Sequence, residues 1–97
     1  MQKPAFSIVL VEITDPELFA KYVRGHQSTL TKYGGRFLAR GAQGEILEGA
    51  FPKGLVVIHE FPDRQKWLEW YHSEEYAPWK QLRHQAAITN VLLVEGI

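Results

Sequence analysis

Ninety-seven residues without a cysteine, carrying eleven basic and eleven acidic side chains, make one small domain with no formal net charge. That balance excludes the basic footprint of a nucleic-acid or membrane-surface binder, and the lack of thiols excludes a disulfide framework and a cysteine nucleophile or metal site. Met1-Gln2-Lys3-Pro4 does not open the long apolar core of a secretion signal, and no apolar run reaches membrane-spanning length. The expectation is a cytoplasmic protein with no membrane and no nucleic-acid partner.

Ala5 to Ile13 is apolar apart from Ser7 and Glu12, which predicts a buried first strand. Thr14-Asp15-Pro16-Glu17 opens a helix, either as a capping box from Thr14 to Glu17 or with Asp15 as the cap before a first-turn proline. Leu18, Phe19, Tyr22, Val23, His26, Leu30 and Tyr33 then recur at steps of three and four residues, a single packing face. Gly34 and Gly35 supply the positive φ that ends this helix. Arg36 to Arg40 follows as a short strand, Gly41 to Gly44 as a bulge or break, and Glu45 to Glu48 as its extended continuation. Gly49 to Gly54 is the hairpin connection, and Leu55 to Phe61, bounded by Gly54 and Pro62, predicts a central strand. Asp63 caps the next helix, which carries Trp67, Leu68, Trp70 and Tyr71. Ser73 caps a second helical piece holding Tyr76, Trp79, Leu82 and Arg83, with Pro78 in an early turn. Ile88 to Glu95 closes the chain as the last strand.

The order strand, helix, strand, strand, helix, strand is the ferredoxin-like arrangement of an α+β domain: a four-stranded antiparallel sheet with its helices on one face, spanning residues 1–97. A sheet with one solvated face should alternate apolar and polar side chains, and these strands do not. Val56 and Ile58 point away from Leu55, Val57 and Phe61; Val9 and Val11 point away from Phe6, Ile8 and Leu10. Leaving about six such side chains in water would forgo roughly 10 kcal/mol, at about 1.5–3 kcal/mol each. A second copy of the chain is the simplest cover, so a homodimer is expected.

The stretches Tyr33-Gly34-Gly35-Arg36-Phe37-Leu38-Ala39-Arg40-Gly41, Leu47-Glu48-Gly49, Val56-Val57-Ile58-His59-Glu60-Phe61-Pro62 and Tyr71-His72-Ser73-Glu74-Glu75-Tyr76, with Arg83 and Leu92-Leu93-Val94-Glu95-Gly96, resemble the family called domain of unknown function 1330. The resemblance runs over nearly the whole chain and implies membership of the dimeric α+β barrel superfamily, in which two sheets pack face to face. It also implies a small apolar or aromatic ligand held between helices and sheet, since superfamily relatives include monooxygenases, isomerases and stress-response proteins. No reaction comes with the family, and fold alone does not supply one.

Two histidines are the candidate catalytic groups. His26 lies on the apolar stripe of the first helix, where an imidazole can accept a proton or serve only as a satisfied core residue. His59 lies in the central strand beside Glu60, and adjacent strand residues face opposite sides, so these two cannot form one acid–base pair. A buried Glu60 calls for an arginine, with Arg36, Arg40 and Arg83 available. The candidate ligand-binding residues are Arg40, Glu60, Trp67, Tyr71 and Arg83, the aromatic members being either core packing or a stacking wall. The four histidines lack tight ligand spacing, so no metal and no cofactor is expected. Ser7, Ser28 and Ser73 have no nucleophile-elbow context, and no glycine loop cradles a phosphate. Two readings of function stand: a small-molecule enzyme of proton transfer or cofactor-free oxygenation, or a non-catalytic binding or stress-response module whose polar core residues are structural.

Overall fold

The structure, a computed structural model, describes residues 3–97; Met1 and Gln2, read above for a leader, lie outside it. Strand β1 (Ala5–Ile13) leads into helix α1 (Pro16–Lys32), followed by β2 (Arg36–Ala42), β3 (Leu55–Phe61), α2 (Arg64–Tyr71), α3 (Ala77–Ala86) and β4 (Ala87–Glu95). The four strands form one antiparallel sheet in the order β2-β3-β1-β4, the ferredoxin-like topology expected from the sequence. No helix among the described residues is long and apolar enough to cross a membrane.

The helix ends follow from local chemistry. Asp15, rather than Thr14, caps α1: its carboxylate accepts from the Leu18 amide at 3.2 Å and Pro16 occupies the first turn. At the other end the Gly35 amide donates to the Leu30 carbonyl and the Gly34 amide to that of Thr31, with Gly34 at φ 84°. This pair of bonds satisfies two carbonyls that the helix would otherwise leave open, and it needs a residue without a side chain at the left-handed position. Asp63 caps α2 through the Lys66 amide at 2.8 Å.

Two expectations need correction. Glu45 to Glu48 does not extend β2; the strand ends at Ala42 and residues 43–54 form a long irregular connection. Gly41 (φ 71°) sits at a register shift one residue before β2 ends, and Gly49 and Gly54, at φ 82° and 138°, break the extended backbone of the connection before Leu55. Ser73 does not cap α3 directly. Its hydroxyl accepts from the Tyr76 amide at 3.1 Å and so closes a single turn over 74–76, after which α3 starts at Ala77 with Pro78 in its first turn.

The register assigns every strand residue to a face. Ala5, Ser7, Val9 and Val11 share the helix side with Phe61, His59, Val57 and Leu55, their respective partners on β3. On the open side lie Phe6, Ile8, Leu10, Val56, Ile58, Leu92 and Val94, with Leu92 61% exposed and Ile8 37% exposed. Beneath the helices, Phe61, Trp67, Trp70, Tyr76, Tyr22 and Leu30 form the main core. α1 packs along α3 so closely at Gly25 that the position needs a residue without a side chain: a Cβ placed there would lie 2.0 Å from the Trp79 ring. Gly25→Ala is expected to lower unfolding stability by about 1–3 kcal/mol through overpacking, read from the denaturant midpoint. An unchanged midpoint would show that Trp79 moves aside freely.

Candidate functional site

The core rings crowd towards α2 and the start of α3, and the other half of the space under the sheet stays open. There a cavity of about 340 Å³ is lined by Val9 and Val11 of β1, Phe19, Tyr22, Val23 and His26 of α1, Phe37 and Arg40 of β2, Val57 and His59 of β3, and Arg83 of α3. Its size falls within the range of small-molecule sites, and its walls are mostly apolar with a few convergent polar groups. A larger hollow, about 590 Å³, opens on the opposite face between the 43–54 connection and Ile8, Leu10, Val56 and Leu92. Among the described residues no histidine or arginine lines that hollow; the candidate histidines His26 and His59 line the helix-side cavity instead.

Four of the sequence candidates therefore meet in one place: His26, His59, Arg40 and Arg83. The other three do not. Glu60 is on the open face, where Arg36 Nε donates to its Oε1 at 2.8 Å, so it forms no part of the cavity. Trp67 and Tyr71 stack on each other with ring centroids 4.7 Å apart at the α2 end of the core. Tyr71 also carries the Lys80 ammonium 4.1 Å from its ring centre, a packing role rather than a cavity wall. Sequence reading missed Phe37 and Tyr22. Phe37 stands edge-on between the two imidazoles, 5.9 Å from His26 and 4.9 Å from His59, and Tyr22 stacks flat on His26 at 4.1 Å. The spacing of four between Tyr22 and His26 on one helix face held that second signal.

Hydrogen bonds fix both rings. The Tyr22 carbonyl can only accept, so His26 Nδ1, 2.9 Å away, carries the proton and Nε2 is left as an acceptor. His59 Nδ1 lies 2.7 Å from Ser7 Oγ on the neighbouring strand, while its Nε2 is buried with no partner among the described residues. Thr29 Oγ1 donates to the His26 carbonyl at 2.6 Å and accepts from Trp70 Nε1 at 3.1 Å, tying α1 to α2 behind the site. Arg83 Nη1 donates to the Tyr76 hydroxyl at 3.0 Å, which shares a 2.6 Å bond with the Tyr22 hydroxyl. Burial pushes both phenols up, so they keep their protons. Among the described residues no three His, Asp or Glu side chains converge as a metal cage.

Burial also decides the charge of the imidazoles. Desolvation, with smaller contributions from the Arg83 and Arg40 charges, lowers His26 from 6.5 to about 4. Desolvation again, with His26 and Arg83 nearby, lowers His59 to about 3. Both rings are neutral at pH 7, suited to donating or accepting a hydrogen bond rather than to presenting a positive charge. Because the folded values lie below the unfolded ones, the unfolded chain binds more protons between them. Stability is therefore full above about pH 6.5 and falls as pH drops towards about 4 for His26 and about 3 for His59. Each ring contributes a slope of up to about 1.4 kcal/mol per pH unit in that window. His59→Asn is expected to flatten the dependence by about one ring's share when urea midpoints are measured across it. Parallel curves for the variant and the parent protein would refute the assignment.

Solved structures with the same fold are numerous. A Rhodopseudomonas palustris protein of unknown function superposes with a TM-score of 0.80 at 20% identity, covering 100% of this chain and 85% of its own. SnoaB, a cofactor-independent oxygenase from Streptomyces nogalater, gives 0.69 at 9% identity over 98% of this chain and 94% of its own. A dimeric ferredoxin-like protein of unknown function from Thermobifida fusca gives 0.60 at 8% identity over 99% and 93%. At these identities the likeness establishes the fold alone. No curated protein matches by sequence. Residues 4–97, every strand and helix described above, match the family of the domain of unknown function DUF1330, and the chain belongs to it.

Proposed function

We propose that the protein is a homodimer that binds one small organic molecule of apolar or aromatic character per protomer, in the cavity between α1 and the sheet. The observation that supports the ligand site is His59: it is 6% exposed, it lines an open cavity, and its Nε2 has no partner. A buried ring nitrogen left without a hydrogen bond is costly, and a bound molecule relieves that cost. Val9, Val11, Phe19, Val23 and Val57 supply the apolar surroundings for the body of such a molecule.

The dimer rests on the open face. Ile8, Leu92, Val94 and Ile88 are between 37% and 61% exposed on one side of a single sheet, a patch that water-exposed monomers seldom carry. A second copy with the same patch covers it symmetrically. The Thermobifida fusca protein of like fold is described as a dimer, which is consistent with this arrangement.

A catalytic use of the site, by proton transfer or cofactor-free oxygenation, is the second reading, and the pair of neutral imidazoles favours it. His26 Nε2 is an unprotonated acceptor, and Arg83 and Arg40 lie where negative charge left on a deprotonated substrate needs support. A ring held near pKa 4 is a weak base, and a developing anion beside it strengthens it. SnoaB gives an example of cofactor-independent oxygenation on this fold; the case for this chain rests on the histidines.

Light scattering is expected to return twice the 11.2 kDa chain mass, and Leu92→Glu to return the single-chain mass. A folded parent protein of single-chain mass at micromolar concentration sinks the dimer. In a thermal-shift screen, small aromatic compounds are expected to raise the melting temperature, since a ligand at a hundred times its Kd adds about 2.7 kcal/mol. Val57→Trp, which fills the cavity, is expected to abolish the shift while leaving the dimer intact. Shifts that survive in Val57→Trp would place the ligand elsewhere.

A further inference from the structure

The cavity has an unbalanced charge. Arg83 is 6% exposed, and its guanidinium donates to the Tyr76 hydroxyl at 3.0 Å and lies 3.1 Å from His84 Nε2, with the Tyr22 and Tyr71 phenols, all neutral partners, also close by. Its Nε is buried without a partner among the described residues. The ion pairs among the described residues are Lys32 with Glu75, Arg36 with Glu60 and Lys66 with Glu69, so no carboxylate compensates Arg83. Arg40, the second guanidinium on the cavity wall, lies 4.4 Å from the centre of the Phe37 ring and is likewise outside every ion pair. Among the described residues no aspartate or glutamate lines the cavity. Both arginines stand near enough to His26 to lower its proton affinity, which brings the two charges to bear on the same space.

A buried guanidinium without a counter-charge is expensive, and it is retained where an anion arrives to complete it. The remaining lining is aliphatic and aromatic, which excludes a densely charged ligand such as a polyphosphate. From these residues, and on the reading of the cavity as a ligand site, we infer that its ligand is a singly charged organic anion: a flat apolar body bearing one carboxylate or one ionised phenol or enol. Arg83 and Arg40, the two guanidinium side chains of the cavity wall, meet the charge. The body of the molecule packs between Val9, Val57 and Phe19. His59 Nε2 is left to hydrogen-bond a second polar atom of the ligand, so a hydroxy- or keto-substituted aromatic acid fits better than the unsubstituted one.

Matched pairs test the charge directly: benzoate against benzamide, naphthoate against naphthamide and nitrophenolate against nitroanisole, each titrated by calorimetry into the full chain. The anion of each pair is expected to bind at least about tenfold more tightly than its neutral partner, the scale of a charge-assisted hydrogen bond. Arg83→Gln and Arg40→Gln are each expected to remove most of that preference without weakening the neutral member. Arg40 is exposed, so its variant remains informative if Arg83→Gln does not fold. Equal affinity within the pairs, or neutral members alone binding, overturns the charge assignment and leaves the cavity as a ligand site. Stabilisation by chloride or phosphate equal to that by benzoate also overturns it, since the apolar body is then not recognised. Failure of every member to bind removes both the assignment and the ligand site on which it rests.

Discussion

The bulky side chains under this sheet are unevenly distributed, and the rest of the structure follows from that. Trp67, Trp70, Tyr71 and Tyr76 all come from the α2 segment and the turn before α3, so they fill one half of the helix-side space around Phe61. The other half is covered mainly by α1, with Arg83 of α3 at its edge, and floored by Val9, Val11 and Val57 beside His59. Protein interiors close to near-crystalline density where side chains allow it. Here the side chains that face the second half, among them Phe19, Val23, Val57 and the two histidines, leave a cavity of about 340 Å³ between them. The cavity is thus a consequence of where the tryptophans are, and its polar groups are those that the neighbouring elements bring to its edge.

That origin explains what could be read from the chain beforehand. β1 and β3 were legible to the residue because apolar runs bounded by turn residues leave little choice, and Asp63 was legible as a cap because it precedes a helical pattern directly. The alternation of His59 and Glu60 was also legible, but which of them faces the helices was not. That depends on which face of β1 is covered, and the small residues Ala5 and Ser7 opposite Phe61 and His59 settle it by making room for large partners. Arg36 then pairs with Glu60 because β2 places them directly across from each other. The stretch 45–48 misled because Ile46 and Leu47 look like strand residues. In the structure they project from the 43–54 connection, whose three glycines, Gly44, Gly49 and Gly54, work against a continuous ladder.

The candidate site was half legible, for a physical reason. Charged and imidazole side chains on apolar stripes stand out in a sequence because burying them is costly, and His26, His59 and Arg83 all proved buried. Aromatic side chains carry no such mark, since a ring that covers a sheet and a ring that lines a cavity share the same spacing. Trp67 and Tyr71 went to the core, while Phe37 and Tyr22, no more conspicuous in sequence, stand against the histidines. The two faces of the sheet also separate two tasks: polar groups gather on the helix side, and the opposite side offers mainly Ile, Val and Leu.

The bond between Ser7 and His59 joins two strands in the middle of the sheet, and Ser7 belongs to β1, which is paired along both of its edges. The imidazole is consequently clamped to the stiffest part of the molecule. Arg40 sits on β2, at the margin, where the pairing with β3 slips twice, once around Leu38 and once around Gly41. The cavity therefore has a floor held by continuous pairing and a rim whose ladder is interrupted: the imidazole at its base is fixed by two strands, and Arg40 at its margin by a strand that is paired along one edge only and irregularly.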